Sequence, residues 1–62
     1  MILNGNQSSF QGTIEQLLVH EGITPRGVAV EINGEIISKS AWNTTALKDS
    51  DVIEIVTAAA GG

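Results

Sequence analysis

The chain of 62 residues contains no cysteine, which excludes disulfide bonds, thiolate nucleophiles and cysteine-based metal sites. Small secreted domains usually depend on such cross-links, so their absence favours the cytoplasm. Aromatic residues are almost missing as well, since one tryptophan, one phenylalanine and no tyrosine leave the core to aliphatic side chains. A domain of this length buries only about 60% of its unfolded surface and has little room for an enclosed pocket, which argues against an enzyme.

Basic residues are equally scarce. Arg26, Lys39 and Lys48 stand against seven acidic residues, and the net charge is −4. Clustered cations bind nucleic acids and anionic membranes, so we expect neither of these partners, but rather a protein with a basic surface. No apolar run approaches the roughly 20 residues of a membrane span, and the N-terminal segment lacks the features of a signal peptide. The expectation is a complete cytoplasmic chain.

Two Asn-Gly pairs, at positions 4–5 and 33–34, each separate segments of β-type composition. Asn-Gly is typical of a two-residue hairpin turn in which both turn residues take positive φ. The pairs therefore predict two β-hairpins. The first joins residues 1–3 to residues 7–10, and the second joins residues 28–32 to residues 35–37.

The segment between the hairpins predicts a helix over residues 13–21. Thr13, followed three residues later by Gln16, has the form of a capping box. Gly22 suits the left-handed position that ends a helix. Apolar residues at helical spacing form one face that can pack on a sheet. This face consists of Ile14, Leu17 and Leu18.

The final strand is predicted from alternation over residues 52–57. Ile53 and Ile55 point to one side, and Val52, Glu54 and Val56 point to the other. We expect the isoleucines to be buried and the other three residues to form an exposed docking patch for a protein partner. Trp42 and Leu47 are expected to cover the core, Trp42 from a short helical turn. One helix and four or five strands then make an α+β sandwich.

Three successive sequence blocks, together with the terminal glycines, resemble the ThiS family of ubiquitin-like sulfur carriers. "TIEQLL" is similar to that family's helix start, and "VEINGEIISKSAW" to its block ending in tryptophan. "LKDSDVIEIVTAAAGG" is similar to its ending, although Ser50 replaces the usual glycine and alanines fill the tail. The resemblance implies a β-grasp fold, a mixed sheet of four or five strands on one main helix. It divides the chain into a domain over residues 1–57 and a flexible tail over residues 58–62.

The resemblance also implies a chemistry for the tail. An E1-like adenylyltransferase with Mg-ATP would activate the carboxylate of Gly62. A cysteine desulfurase or other persulfide donor would convert it to a thiocarboxylate, and thiazole synthase would take the sulfur for thiamine biosynthesis. Ala60, Gly61 and Gly62 carry little or no side chain, so they can thread into a narrow partner site. The chain itself would be a substrate, with no catalytic residue and no bound cofactor.

Other interpretations of the same residues remain open. The small sulfur-carrier subunit of molybdopterin synthase shares the fold and the Gly-Gly end, and so does a ubiquitin-like modifier joined to lysines. A non-catalytic β-grasp interaction module with an incidental tail is a further alternative. No metal site is predicted, because His20 stands alone and Asp49 and Asp51 lack the ligand set of a calcium loop. Both aspartates are expected in a solvated turn.

Overall fold

The computed structural model describes residues 1–57 of the chain. The elements follow the predicted order of hairpin, helix, hairpin, loop and strand, and the loop contains a short helical turn. They are β1 (Ile2–Leu3), β2 (Asn6–Gln7), α1 (Ile14–Glu21), β3 (Val28–Ile32), β4 (Glu35–Ile37), a helical turn (Lys39–Ala41) and β5 (Val52–Thr57).

The five strands form one sheet in the order β2-β1-β5-β3-β4. β5 lies at the centre, parallel to β1 and antiparallel to β3. The two hairpins therefore flank the last strand of the chain, and each supplies one of its neighbours. This mixed five-stranded sheet, with α1 packed on it, confirms the predicted α+β fold of β-grasp type.

Helix α1 begins and ends with the signals found in the sequence. Thr13 is the N-cap: its Oγ1 accepts from the Gln16 amide at 3.2 Å, and Gln16 Oε1 accepts from the Thr13 amide at 2.9 Å. Gly22 takes φ 71°, and the Ile23 amide donates to the Leu18 carbonyl at 2.9 Å. This pair of caps limits the helix to eight residues.

The first hairpin is shorter than predicted, because β2 covers Asn6–Gln7 and not residues 7–10. The two-residue turn places Asn6 opposite Leu3, so pairing starts one residue earlier than expected. It also ends earlier, because the chain leaves the sheet after Ser8, whose side-chain hydroxyl accepts from the Phe10 amide at 3.3 Å. Phe10 is thereby directed to the edge of the core.

The core lies between α1 and one face of the sheet. Every predicted core position on the helix and on β5 is buried, and Trp42 covers the cluster from the helical turn. The indole Nε1–H of Trp42 donates to the Ile37 carbonyl at 3.0 Å, which satisfies its polar atom on burial. The core cluster consists of Met1, Ile14, Leu17, Leu18, Val30, Ile32, Trp42, Ile53 and Ile55.

Candidate functional site

The predicted docking patch lies on the central strand of the sheet. Ile53 and Ile55 are in the core, so the intervening side chains of β5 point away from the helix. Val52 is 45% exposed, Val56 is 51% exposed, and Glu54 is exposed between them. The predicted exposure of these three residues is confirmed, and their role in docking stays a prediction.

Neighbouring strands extend this patch, because residues directly opposite one another share a face of the sheet. Glu31 pairs with Glu54, and Ile36 of β4 pairs with Glu31. Ile36 is 68% exposed. We call the surface away from α1 the outer face; it comprises Ile2, Ala29, Glu31, Ile36, Val52, Glu54 and Val56.

Two asparagine side chains tie β5 to its neighbours. Asn4 has φ 48° and its Oδ1 accepts from the Ile55 amide at 2.8 Å. Asn33 has φ 54° and its Oδ1 accepts from the Val52 amide at 2.9 Å. Each Asn-Gly turn therefore closes its own hairpin and also supplies a hydrogen bond that continues the ladder along β5.

The turn before β5 is built around a buried carboxylate. Asp51 is 7% exposed and accepts from Asn33 Nδ2 at 3.1 Å and from the Lys48 amide at 2.8 Å. The expectation of a solvated turn is therefore wrong for Asp51, whose carboxylate fixes the start of the strand. Ser50 keeps negative φ, so the turn does not need the glycine usual at that position.

Comparison with known proteins identifies the family. The model of the ThiS family matches residues 1–62. The chain belongs to the ThiS family. The sulfur carrier protein ThiS of Bacillus subtilis is 41% identical over 63 residues, covering 97% of this chain and 96% of that protein.

Two further comparisons are with a longer relative and with a solved structure. The thiazole synthase of Paramagnetospirillum magneticum is 41% identical over 64 residues, which cover 100% of this chain but 20% of that protein. The chain thus spans about a fifth of the length of that relative. The crystal structure of the thiamine biosynthesis protein ThiS of Geobacter metallireducens matches with a TM-score of 0.83 and 29% identity, over 98% of this chain and 96% of that one.

The tail positions assigned to this ThiS-family chain, Ala60, Gly61 and Gly62, lie outside the described residues. The structure places their attachment point, because β5 runs to Thr57 directly from the docking patch. The predicted division between a domain and a tail after Thr57 stays a prediction. The expectation that the chain is not an enzyme agrees with a family whose Bacillus subtilis member is named a sulfur carrier.

The structure does not bring the remaining polar candidates together. His20 is exposed, with its Nδ1 3.2 Å from Glu21 Oε2 and its ring centroid 4.9 Å from that of Phe10. Within residues 1–57, no three histidine or acidic side chains converge as a metal site would require. No helix in this part of the chain is long and apolar enough to cross a membrane.

Sequence analysis did not include four outer-face residues in the patch: Ile2, Ala29, Glu31 and Ile36. The alternation of "VAVEI" by itself puts Ala29 and Glu31 on the face opposite Val30 and Ile32. The position of Glu31 beside Glu54 follows from the sheet order, which puts β3 next to β5. Antiparallel alignment of "VEI" at residues 30–32 with "IEI" at residues 53–55 pairs Glu31 with Glu54.

Proposed function

We propose that this ThiS-family chain carries sulfur as a thiocarboxylate on Gly62 and donates it to thiazole synthase in thiamine biosynthesis. The observation that carries the proposal is the family match over residues 1–62, which includes the Gly61-Gly62 end. The protein acts as substrate and partner, and the catalytic groups belong to other proteins. We propose that it works in the cytoplasm.

The proposed chemistry follows from the weak electrophilicity of a carboxylate. An E1-like adenylyltransferase uses Mg-ATP, and the Gly62 carboxylate displaces pyrophosphate to form an acyl-adenylate. The persulfide of a cysteine desulfurase or another donor attacks the acyl carbon, and AMP leaves. A thiol then cleaves the sulfur–sulfur bond, which leaves the thiocarboxylate on the chain and a disulfide on the donor side.

The composition of the tail supports this role. Gly61 and Gly62 place no Cβ beside the reacting carbonyl, and Ala60 adds a single methyl group. A backbone without bulky side chains can pass through a narrow channel into a partner's active site. The central strand β5 holds Thr57, the residue to which the proposed tail is attached, within the sheet.

Partner docking is assigned to Val52, Glu54 and Val56. They lie on the strand that leads into the tail, and exposed apolar groups beside an acid suit an interface with a polar rim. The similarity of this chain to a fifth of a protein named thiazole synthase supports that enzyme as a partner. It also favours the thiazole pathway over the molybdopterin alternative.

The test measures the intact mass of the protein after incubation with ATP, a thiamine-pathway adenylyltransferase and a persulfide donor. The expected result is a gain equal to replacing one oxygen atom by sulfur. Deleting Gly62 should abolish the gain, because the carboxylate is then one residue short of the partner's reaction centre. Val19→Ala, on the exposed side of α1, is the matched control and should keep it.

Two outcomes would contradict the proposal. If competent partners give neither an adenylate nor a sulfur gain, the carrier function is wrong and the chain is better described as a binding module. If the Gly62 deletion gains sulfur as fast as the complete sequence, the tail is not the site of modification.

A further inference from the structure

Two glutamates lie directly opposite each other at the centre of the outer face. Glu31 of β3 and Glu54 of β5 are cross-strand partners in antiparallel register. Like charges directly opposite on a sheet destabilise it, because their side chains share one small area. Glu31 is half-buried by its neighbours, and Glu54 is exposed.

Among residues 1–57, no lysine or arginine forms a salt bridge with either glutamate. Within residues 1–57, the basic group within salt-bridge distance of a carboxylate is His20, whose Nδ1 lies 3.2 Å from Glu21 Oε2 on the helix. Lys39 lies over the Trp42 ring, with its Nζ 5.6 Å from the ring centroid. The sheet therefore keeps an unfavourable pair at a surface position where a single neutral residue would remove the repulsion. Such local conflicts with folding are typical of functional surfaces.

Apolar side chains border the pair. Ile36 is the cross-strand partner of Glu31 on the other side, and Val52 and Val56 flank Glu54 along β5. All three are substantially exposed. Acidic groups surrounded by exposed aliphatic groups can bind a cationic side chain and at the same time pack against its methylene stem.

The position of the tail indicates what covers this surface. The proposed function places the reacting carboxyl on Gly62, and five residues, as in positions 58–62, can span at most about 18 Å. An enzyme that holds this carboxyl must therefore approach the end of β5 closely. Its surface then lies next to the strand that carries Val56 and Glu54.

Resting on that function, we propose that the adenylyltransferase that activates the Gly62 carboxyl inserts a cationic side chain between Glu31 and Glu54. Arginine is the best fit, because its planar guanidinium can bond two carboxylates at once. Apolar groups of the same enzyme cover Ile36, Val52 and Val56. A second copy of this chain does not suit the surface, because it presents the same two negative charges and a net charge of −4.

The test combines Glu31→Gln and Glu54→Gln, singly and together, with the control Glu15→Gln on the helix. The wild-type adenylyltransferase is titrated with each variant, and ATP-dependent modification is followed by intact mass. The double variant should raise KM roughly tenfold or more and leave kcat nearly unchanged, since the lost bonds are charge-assisted. Its affinity should also lose most of its dependence on salt.

An unfolding measurement separates this effect from damage to the fold. Removing one of two opposed charges should leave the midpoint of urea unfolding unchanged or raise it. A double variant with the KM and salt dependence of Glu15→Gln overturns the inference while the proposed function stands. No sulfur gain in the wild-type chain overturns the proposed function, and the inference with it.

Discussion

Asn4 and Asn33 each meet two requirements that few residues satisfy together. Both adopt positive φ, which asparagine tolerates better than other residues with a side chain. Both also offer a side-chain oxygen to a backbone amide of β5. Only Asn33 uses its amide nitrogen as well, donating to the buried carboxylate of Asp51. The two turns therefore look alike in sequence but differ in how much they contribute to stability.

Replacing Asn33 by aspartate tests this difference. Asn33→Asp keeps the turn conformation and the acceptor for Val52 but places a second carboxylate against Asp51. We expect the free energy of unfolding to fall by about 1–3 kcal/mol, measured by urea denaturation. Asn4→Asp, which keeps its acceptor for Ile55, should stay within about 0.5 kcal/mol. Equal losses in the two variants would show that the contact with Asp51 is unimportant.

Neighbouring residues define where helix α1 begins and ends, but its stability depends on packing against the sheet. Its eight residues are too few for an isolated helix to be stable in water. The reciprocal cap at Thr13 and the left-handed Gly22 fix its ends, and burial of Leu17 and Leu18 holds it on the sheet. By contrast, the predicted bounds of β2 are wrong, because a strand of two residues has too short a sequence pattern to define where it begins and ends.

The contribution of the N-cap can be measured with one pair of variants. Thr13→Ala removes the oxygen that accepts from the Gln16 amide. It should destabilise the domain by about 0.5–2 kcal/mol in chemical denaturation. Thr13→Ser keeps the oxygen and should lose much less. A serine variant as unstable as the alanine variant would assign the effect to the lost methyl group.

The domain has a single small hydrophobic core, and we expect its free energy of unfolding to be small. At about 0.05–0.15 kcal/mol per residue, 62 residues give about 3–9 kcal/mol. Nine buried apolar residues meet in a single cluster: Met1, three residues of α1, two of β3, Trp42 and two of β5. Because no disulfide supports this cluster, one large cavity can remove most of the stability.

Leu17→Ala tests this dependence on one core. The side chain is fully buried, so its truncation should cost about 2–5 kcal/mol and leave a substantial unfolded population. Thermal unfolding and dispersion of amide NMR signals would measure both effects. Val19→Ala, two residues away on the same helix and 76% exposed, should change the free energy of unfolding little. Comparable losses in both variants would contradict the assignment of the core.

Local chemistry in the sequence was sufficient to predict the elements. The Asn-Gly pairs predict both hairpin turns, and the spacing of Thr13 and Gln16 predicts where the helix begins. The alternation of residues along β5 predicts its buried face. These features depend on interactions between residues a few positions apart, or on a repeat of two along a strand. The similarity of three blocks to the ThiS family was sufficient for the fold.

The pairing of strands that lie far apart in the sequence was evident only from the tertiary structure. The sheet order brings β1 and β3 to either side of β5, and this alone places Glu31 beside Glu54. The burial of Asp51 arises in the same way, because its partner Asn33 lies in a distant turn. Such contacts join residues far apart in sequence, so their formation depends on how the entire core packs and not on local pattern.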